Sequence, residues 1–384
     1  HTLELAEVMA RAGDFEVPEV PKANFGPRAE TLWLRLPVQA SIADRWIVEV
    51  DYPPLNRIEA WVVVDGQIIR HVLMGSDIPA AQRPSRSRAH IFAVDLRPGP
   101  VHDIYLRVDS ATTVVTPIRL HREAGFVTYE SLRMVLLGLV FGATSLLLVT
   151  TFINGISLRD PAYFFYALML VGITMFFVAF SGLGHQFLWS TQEGYLEKVS
   201  PLGALLALTA ASFFVISALN MRERNPLLAR CLQFTAFCAL ASIIAAALGL
   251  LNYRQSSLAA TILGPIQIAL ALSESIRQAR RGSRMAVYMV IGWGAYAIGS
   301  LSLALLLRGK IPVDFLTQNL FQFSSLVEML AWMRVLAIRI EVIRQDAERI
   351  GAEKQALHAL AHTDPLTGLL NRRGLVQAIE STLT

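Results

Sequence analysis

Four polar side chains lie in the last long apolar segment of the chain and could do chemistry in nonpolar surroundings. They are Gln318, Asn319, Gln322 and Glu328. Because a carboxyl group inside a membrane costs about 3 kcal/mol, Glu328 is expected to face other helices or to carry a proton. We predict that the four form a transmembrane polar cluster that biases two packings of this helix. The alternative is a carboxyl group that reaches water near the cytoplasmic end of the segment.

Residues that could bind a ligand lie in the first third of the chain. Flat aromatic side chains suit a sugar ring, and guanidinium groups in the polar stretch 76–88 suit an anion. The alternatives are aromatic side chains buried in a β-sheet core and a solvated loop. The candidates are Trp33, Trp46, Tyr52, Trp61, Arg83, Arg86 and Arg88.

We predict no catalytic residue, no metal site and no disulfide in this chain. Metal-ligand spacing is absent among four histidines of the N-terminal part, His71, His90, His102 and His121. The two cysteines, Cys231 and Cys238, would be roughly 10 Å apart on a helix. A disulfide requires Cα atoms within about 7 Å, so these two cannot bridge each other.

The composition indicates a membrane protein. Hydrophobic residues make up 54% of the 384 residues and charged residues 17%, with a mean hydropathy of +0.46, whereas a soluble domain carries about a quarter charged residues. Charged residues are frequent in 1–130, and 131–337 is a succession of apolar runs. The net charge of +4 is too small and too scattered for nucleic-acid binding. We expect the lipid bilayer as a partner, and no nucleic acid.

The N-terminal part alternates apolar and polar residues with the period of two that is typical of half-buried strands. Asp65-Gly66 lies between two such runs and is a strong hairpin signal. Seven short strands at regular spacing predict an antiparallel β-sandwich or jelly roll. The predicted strands are 31–38, 45–51, 57–64, 67–74, 88–96, 101–109 and 114–121.

Seven apolar segments follow, and each reaches the about 20 residues that a helix needs to cross a bilayer. Alternate connections hold eight Lys and Arg residues on one side and four on the other. The richer side is cytoplasmic by the positive-inside rule, so the β-domain is predicted to be periplasmic and the C-terminus cytoplasmic. The segments are 131–154, 161–181, 201–220, 227–250, 256–276, 284–307 and 313–337.

Apolar residues continue beyond the last segment at alternating spacings of four and three, which is the a/d seam of a coiled coil. We predict that 338–362 forms a parallel homodimeric coiled coil, although a surface helix could carry a similar stripe. Lys354 occupies one seam position, where it weakens the coil and helps to set its register. The seam residues are Leu336, Ile340, Ile343, Ala347, Ile350, Lys354, Leu357 and Ala361.

The stretch "TDPLTGLLNRRGL" at 363–375 resembles the start of a GGDEF domain, the catalytic module of diguanylate cyclases. Pro365 suits the first position of a new helix. The resemblance implies that Asp364 pairs with Arg372 to hold the first turn of that domain, as structural and not catalytic residues. The matching residues are Asp364, Leu366, Thr367, Gly368, Leu369, Asn371, Arg372 and Arg373.

The metal-binding aspartate, the guanine-reading residues and the GG(D/E)EF turn of that family lie beyond this motif. We therefore expect 363–384 to be a truncated GGDEF domain without an active site, and no cofactor in this chain. The resemblance implies a parent protein that joins two GTP molecules into cyclic di-GMP with the help of Mg. A parent whose degenerate domain only binds GTP is left open.

Other stretches resemble bacterial seven-transmembrane receptors with diverse intracellular signalling modules, whose second type of extracellular domain is a jelly roll similar to carbohydrate-binding modules. The resemblance implies a receptor in the bacterial inner membrane with a periplasmic sensor for an unknown ligand, carbohydrate-like or otherwise. It is carried by "NFGPRAETLWLRLPV", "IVEVDYPPLNRIEAWVV", "RPSRSRAHIFAVDLRPGPVHDIYLRV" and "SLRDPAYFFYALMLVGITMFFVAFSGLGHQFLW".

Together these features predict a mixed membrane protein with four parts: an all-β periplasmic sensor, a seven-helix transmembrane bundle, a cytoplasmic coiled-coil helix and the start of a GGDEF domain. In the predicted function, a periplasmic ligand or partner changes the packing of the spans and so regulates a diguanylate cyclase. A transporter or channel with an accessory β-domain is the alternative. A signal peptide is expected to have been removed or to precede the given sequence. The parts are 1–125, 126–337, 338–362 and 363–384.

Overall fold

The computed structural model describes residues 3–17, 23–28, 30–79, 81–110, 113–189, 195–362, 369–371 and 375. The strands are β1 Asn24–Pro27, β2 Leu32–Val38, β3 Asp44–Val50, β4 Arg57–Val64, β5 Gln67–Met74, β6 His90–Leu96, β7 His102–Asp109, β8 Thr113–Val115 and β9 Ile118–Arg122. The helices are α1 Leu5–Ala10, α2 Glu123–Leu158, α3 Pro161–Phe180, α4 Tyr195–Ala218, α5 Met221–Arg224, α6 Pro226–Ala247, α7 Tyr253–Arg280, α8 Arg284–Leu307 and α9 Phe315–His362.

The strands form a β-domain of two main antiparallel sheets that enclose one core. One sheet has the order β2-β7-β4-β5 and the other β6-β3-β9, while β1 pairs with β8. Ile58 and Leu106 from the first sheet meet Val48 and Phe92 from the second in a single buried cluster. The sandwich of antiparallel sheets is thus present, and its description as a jelly roll stays a prediction.

Two strand predictions need correction. The predicted strand 114–121 is two strands, β8 and β9, which pair with different partners. Pro117 lies between them and has no N–H to give to a ladder, so the chain changes sheets there. The short strand β1 was not predicted, because its four residues "NFGP" include glycine and proline, which disfavour strands.

The hairpin prediction at Asp65-Gly66 is confirmed. Both residues have positive φ, 50° and 80°, as a two-residue type I′ turn requires. The flanking residues Val64 and Gln67 pair directly across β4 and β5. The turn therefore sets the register of the first two residue pairs, and an irregularity between Val62 and Val63 shifts the register beyond them.

Six helices are long and apolar enough to cross a membrane among the residues that the structure describes: α2, α3, the part of α4 from Lys198 to Ala218, α6, α7 and α8. The predicted seventh segment, 313–337, lies at the start of α9, which begins at Phe315. Helix α9 is not among these six, so the count of seven stays a prediction.

Small residues allow the closest helix pairs. A Cβ atom on Gly172 of α3 would lie 2.5 Å from the backbone nitrogen of Ala207 in α4, so the two backbones meet there. On the other side of the bundle, a Cβ on Gly292 of α8 would lie 2.3 Å from Nε1 of Trp332 in α9. The fully buried Trp332 thus anchors α9 against α8.

Helix α9 covers both the last apolar segment and the predicted coiled-coil segment without interruption. Its 48 residues extend about 72 Å at 1.5 Å per residue. Residues 341–354 are all exposed, including Ile350 of the seam at 65%. Most of the predicted GGDEF residues, Asp364, Leu366, Thr367, Gly368, Arg372 and Arg373, lie outside the described residues, and Asn371 donates from Nδ2 to the carbonyl of Ala361 at 2.9 Å.

Candidate functional site at the junction of sheet and helices

The β-domain is joined to the first long helix without a linker. Strand β9 ends at Arg122, and α2 begins at Glu123, so the predicted domain boundary at 125 falls inside the first turn of the helix. A second contact lies at β1, where Nδ2 of Asn24 donates to the carbonyl of Leu306 near the end of α8. A movement of the β-domain must therefore act directly on α2 and α8.

A buried group of charges ties the β-domain to α2, and we call it the junction network. Its centre is Asp51, whose side chain is 1% exposed. Oδ1 of Asp51 accepts from Nη2 of Arg88 at 3.0 Å, and Oδ2 accepts from Nη1 of Arg119 at 3.2 Å and from Nη1 of Arg133. Arg88 also pairs with Glu130 of α2 at 3.2 Å. Because its members come from both the β-domain and α2, the network adds ion pairs between two parts that are already joined directly through the chain.

Glu49 and His121 extend this network into the sheet. Glu49 is fully buried, and its Oε2 lies 2.9 Å from Nε2 of His121. Burial and then the neighbouring Asp51 raise the pKa of Glu49, whereas the hydrogen bond from His121 and the charge of Arg88 lower it, and the net shift is upward. His121 stacks on Tyr129 of α2 at 5.2 Å. Through His121, the part of the network that lies in the sheet therefore also contacts α2.

A cavity of about 80 Å³ lies beside the network, between the β-domain and the adjacent ends of α2, α3 and α9. We call it the junction cavity. Three of the four residues predicted as a polar cluster line it, namely Gln318, Asn319 and Gln322. The fourth, Glu328, does not line this cavity and is buried deeper in the bundle, next to Met329, whose carbonyl accepts a 2.5 Å hydrogen bond from Tyr166. The predicted cluster thus occupies two separate places along α9.

The predicted aromatic residues do not share one surface. Trp33 and Trp61 stack at 5.4 Å on one face of the four-stranded sheet, where the N-terminal segment packs on them through Val8. Trp46 lies in the other sheet beneath Arg122. Tyr52 is buried at the junction and contacts Phe180 of α3 at 6.1 Å. A stacking platform for a sugar stays a prediction for Trp33 and Trp61 alone.

The three predicted arginines are likewise separated. Arg83 donates from Nε to the carbonyl of Ile78 at 2.8 Å, and burial lowers its pKa to about 10. Arg86 is exposed. Arg88 is 3% exposed and belongs to the junction network, so it holds the protein's own carboxylates and not a ligand in a loop.

From the burial of His90 we predict that the folded protein loses stability in acid. Its Nε2 lies 3.2 Å from the carbonyl of Pro53, and burial, followed by repulsion from Arg83, lowers its pKa from 6.5 to about 3. The unfolded chain therefore takes up this proton near pH 6.5 and the folded chain does not, so stability present above pH 6.5 is lost as the pH falls toward 3. We expect a loss of about 2 kcal/mol at pH 5.

Thermal unfolding of the whole protein at pH 7 and pH 5 measures this effect. His90→Gln keeps a donor for Pro53 and should reduce the difference between the two pH values. The matched control is His71→Gln at an exposed histidine, which should leave the difference unchanged. An equal pH dependence of wild type and His90→Gln would contradict the prediction.

At the far end of the bundle, away from the junction network, an ion pair holds α9. Nε of Arg339 donates to Asp160, the N-cap of α3, and its Nη1 donates to the carbonyl of Ser217 in α4 at 3.0 Å. One turn earlier, the hydroxyl of Tyr163 donates to the carbonyl of Leu336 at 3.0 Å. Helix α9 is therefore fixed at this end of the bundle before it continues as an exposed helix.

Four residues of these ion pairs were not predicted from the sequence, namely Asp51, Arg133, Asp160 and Arg339. One signal was present: Glu49 and Asp51 stand two apart on a strand and so point to the same face, among otherwise apolar neighbours. Two carboxylates on one buried face require cationic partners. Nothing in one sequence says that these partners are Arg88, Arg119 and Arg133.

A β-domain fused to a helix bundle with six membrane-spanning candidates, among the residues that the structure describes, defines a membrane protein with a large domain outside its helix bundle. Residues 1–122 match the family described as 7TMR-DISM extracellular 2, and residues 133–339 match the family described as 7TM diverse intracellular signalling. The second match covers more than half of the chain, so the protein belongs to this family of transmembrane receptors with an intracellular signalling role. No curated protein matches the chain.

Proposed function

We propose that this receptor senses a ligand or partner in the periplasm and regulates a diguanylate cyclase through a homodimeric coiled coil. The observation that carries the proposal is the continuity of α9. The helix lines the junction cavity with Gln322, is held by Asp160 through Arg339, and runs on to His362. In this proposal the single helix α9 is the seventh span of the inner membrane and joins the sensing end to the output end.

The exposed seam supports the dimer. Ile343, Ile350 and Leu357 are exposed at 39%, 65% and 68%, and apolar side chains in an a/d pattern are stable in water when a second helix covers them. Ion pairs between Arg344 and Glu348 support the helix outside the seam. The partner that fits this pattern is a second copy of the chain in parallel.

The motif at 363–375 supports the output. It follows α9 directly and resembles the start of a GGDEF domain, whose complete form would use Mg and GTP. Two such domains must face each other to join two GTP molecules, so a change in the coil would alter their production of cyclic di-GMP. The signal can drive this change only if it has different affinities for the two packings of the helices.

Cysteine cross-linking tests the dimer. We expect Ile350→Cys to form an intermolecular disulfide in native membranes, since d positions of a parallel coil lie next to each other. The background carries Cys231→Ala and Cys238→Ala, because Cys231 is exposed and Cys238 partly so. The matched control is Ala352→Cys, exposed on the opposite face of the same helix, which should cross-link at least about tenfold more slowly.

The same variants connect the dimer to the output. In the full-length protein, Ile350→Lys should lower cyclic di-GMP production from GTP and Mg by about tenfold, and Ala352→Lys should leave it unchanged. Equal cross-linking at both positions would contradict the prediction that these residues form the a/d seam of a dimer. If Ile350→Lys produces as much cyclic di-GMP as the wild type, the proposed control of the cyclase by the coiled coil is wrong.

A further inference from the structure

The junction cavity has two kinds of wall. On one side lie the charged residues Asp51, Arg88 and Arg133 and the amides of α9. On the other lie aliphatic and aromatic side chains from the ends of the bundle helices, among them Val140, Phe177 and Phe323. Such a cavity suits an amphiphile with a polar head and a short apolar tail.

The charge balance of the wall favours an anionic head. Arg88 pairs with three carboxylates, Asp51 at 3.0 Å, Glu130 at 3.2 Å and Glu49 at 4.0 Å. Arg133 pairs with Asp51 alone, and both Asp51 oxygens are already occupied by arginines. Arg133 is therefore the least neutralised cation of the wall.

Arg133 also has donors left. Its hydrogen bonds to protein groups run through Nη1, to Asp51 and to Tyr129 at 2.9 Å. Among the described residues, no protein group accepts a hydrogen bond from its Nε or Nη2. A carboxylate matches the two parallel donors of a guanidinium edge.

The α9 wall carries further unsatisfied polar groups. Gln318 and Gln322 each have a buried Nε2 without a hydrogen-bond partner in the described part of the chain. Such groups are costly unless a ligand or water satisfies them. Rotation about the last side-chain bond lets either amide present its NH₂ to an acceptor in the cavity.

We propose that the junction cavity binds a short monocarboxylate with an apolar tail, its carboxylate on Arg133 and the α9 amides and its tail against Val140 and Phe323. The volume of about 80 Å³ corresponds to roughly five to eight water-sized atoms. The further step, that this ligand is the signal, rests on the proposed function.

Calorimetry on the purified protein in nanodiscs of neutral lipid tests the site. Hexanoate should bind saturably with a dissociation constant of about 1 mM or tighter. Hexanamide, with the same tail and no charge, and acetate, with the charge and almost no tail, should each bind at least about tenfold more weakly. Equal binding of hexanoate and hexanamide would overturn the proposal.

Variants separate the site from the network around it. Arg133→Gln should weaken hexanoate binding about ten- to hundredfold, and Arg133→Lys should restore part of it. The matched control is Arg119→Gln, which removes a partner of the same Asp51 oxygen but does not line the cavity, and it should leave the affinity within about twofold. Val140→Phe, which keeps Arg133 and fills the apolar end, should abolish binding even if Arg133→Gln fails to fold.

The results of these experiments distinguish a failure of the carboxylate site from a failure of the proposed function. Binding is measured without any readout of cyclic di-GMP, so failure to bind overturns the carboxylate site and leaves the dimer untouched. A phospholipid that is found in the cavity by native mass spectrometry and is not displaced by hexanoate would also overturn it. If hexanoate binds but does not change cross-linking at Ile350→Cys, the site stands and its role as a signal is refuted.

Discussion

Asp51→Ala is expected to lower the free energy of unfolding by about 3–5 kcal/mol, the cost of leaving buried charges without their partner. Three guanidinium groups, those of Arg88, Arg119 and Arg133, point at this one carboxylate. After its removal, Glu130 still neutralises Arg88, but Arg133 has no other carboxylate partner within the described residues. Thermal or denaturant unfolding of the protein in nanodiscs measures the loss.

The matched control is Asp95→Ala, which removes an exposed carboxylate from β6 of the same sheet. Its effect should stay within about 0.5 kcal/mol, as is usual for surface substitutions. Asp51→Asn keeps the shape and the acceptor oxygen and should fall between the two. If Asp51→Ala proves no more destabilising than Asp95→Ala, the junction network does not hold the β-domain to α2.

The fold could be predicted wherever local periodicity decides it. Alternation of apolar and polar residues located β2 to β7, because a half-buried strand needs only its own residues to reveal its inner face. Long apolar runs located α2, α3, α4, α6, α7 and α8 for the same reason. The prediction failed at β1 and at the division of β8 from β9, where short strands are decided by their partners in the sheet and not by their own residues.

The junction could not be predicted, because it is assembled from distant parts of the chain. Asp51 follows β3, Arg88 precedes β6, and Arg133 lies in α2. The pairing of β3 with β6 and with β9, together with the direct start of α2 after Arg122, brings them together. A single sequence shows which residues are charged, but it does not show which of them pair with each other in the fold.

The polar residues of α9 show both the reach and the limit of sequence reasoning. Hydropathy and cost in lipid correctly marked the helix as unusual. The spacing from Gln322 to Glu328 is six residues, or about 9 Å along a helix, which is enough to separate a cavity near the β-domain from the interior of the bundle. A cluster in sequence is therefore not one site in space.

The two ends of α9 within the bundle have different partners, and this makes their coupling measurable. Near the β-domain, α9 meets the junction cavity, whose wall includes Asp51. At the far end, Arg339 binds Asp160 and the carbonyl of Ser217. If α9 moves as one rigid helix, a change at the first end must shift the equilibrium at the second.

Arg339→Ala is expected to uncouple the output from the junction. This prediction rests on the proposed function. In a protein that carries the proposed cyclase, Asp51→Asn should change cyclic di-GMP production, and the same substitution made in the Arg339→Ala background should have an effect at least about fivefold smaller. The physical reason is that α9 without the Arg339 side chain loses its bonds to Asp160 and to the carbonyl of Ser217, so a shift of the helix is no longer passed to α3 and α4 at that end. A fivefold difference corresponds to a coupling free energy of about 1 kcal/mol, which is typical of residues that link two sites.

The matched control for this cycle is Arg334→Ala, since Arg334 lies on the same helix, is exposed and makes no ion pair within the described residues. In that background Asp51→Asn should keep its full effect, and Arg339→Lys should restore part of the coupling because a point charge can still pair with Asp160. Additive effects of Asp51→Asn and Arg339→Ala would mean that the two ends act independently. The signal would then have to pass through a helix other than α9, and α3, which contacts both the junction through Phe180 and Arg339 through Asp160, would be the next to test.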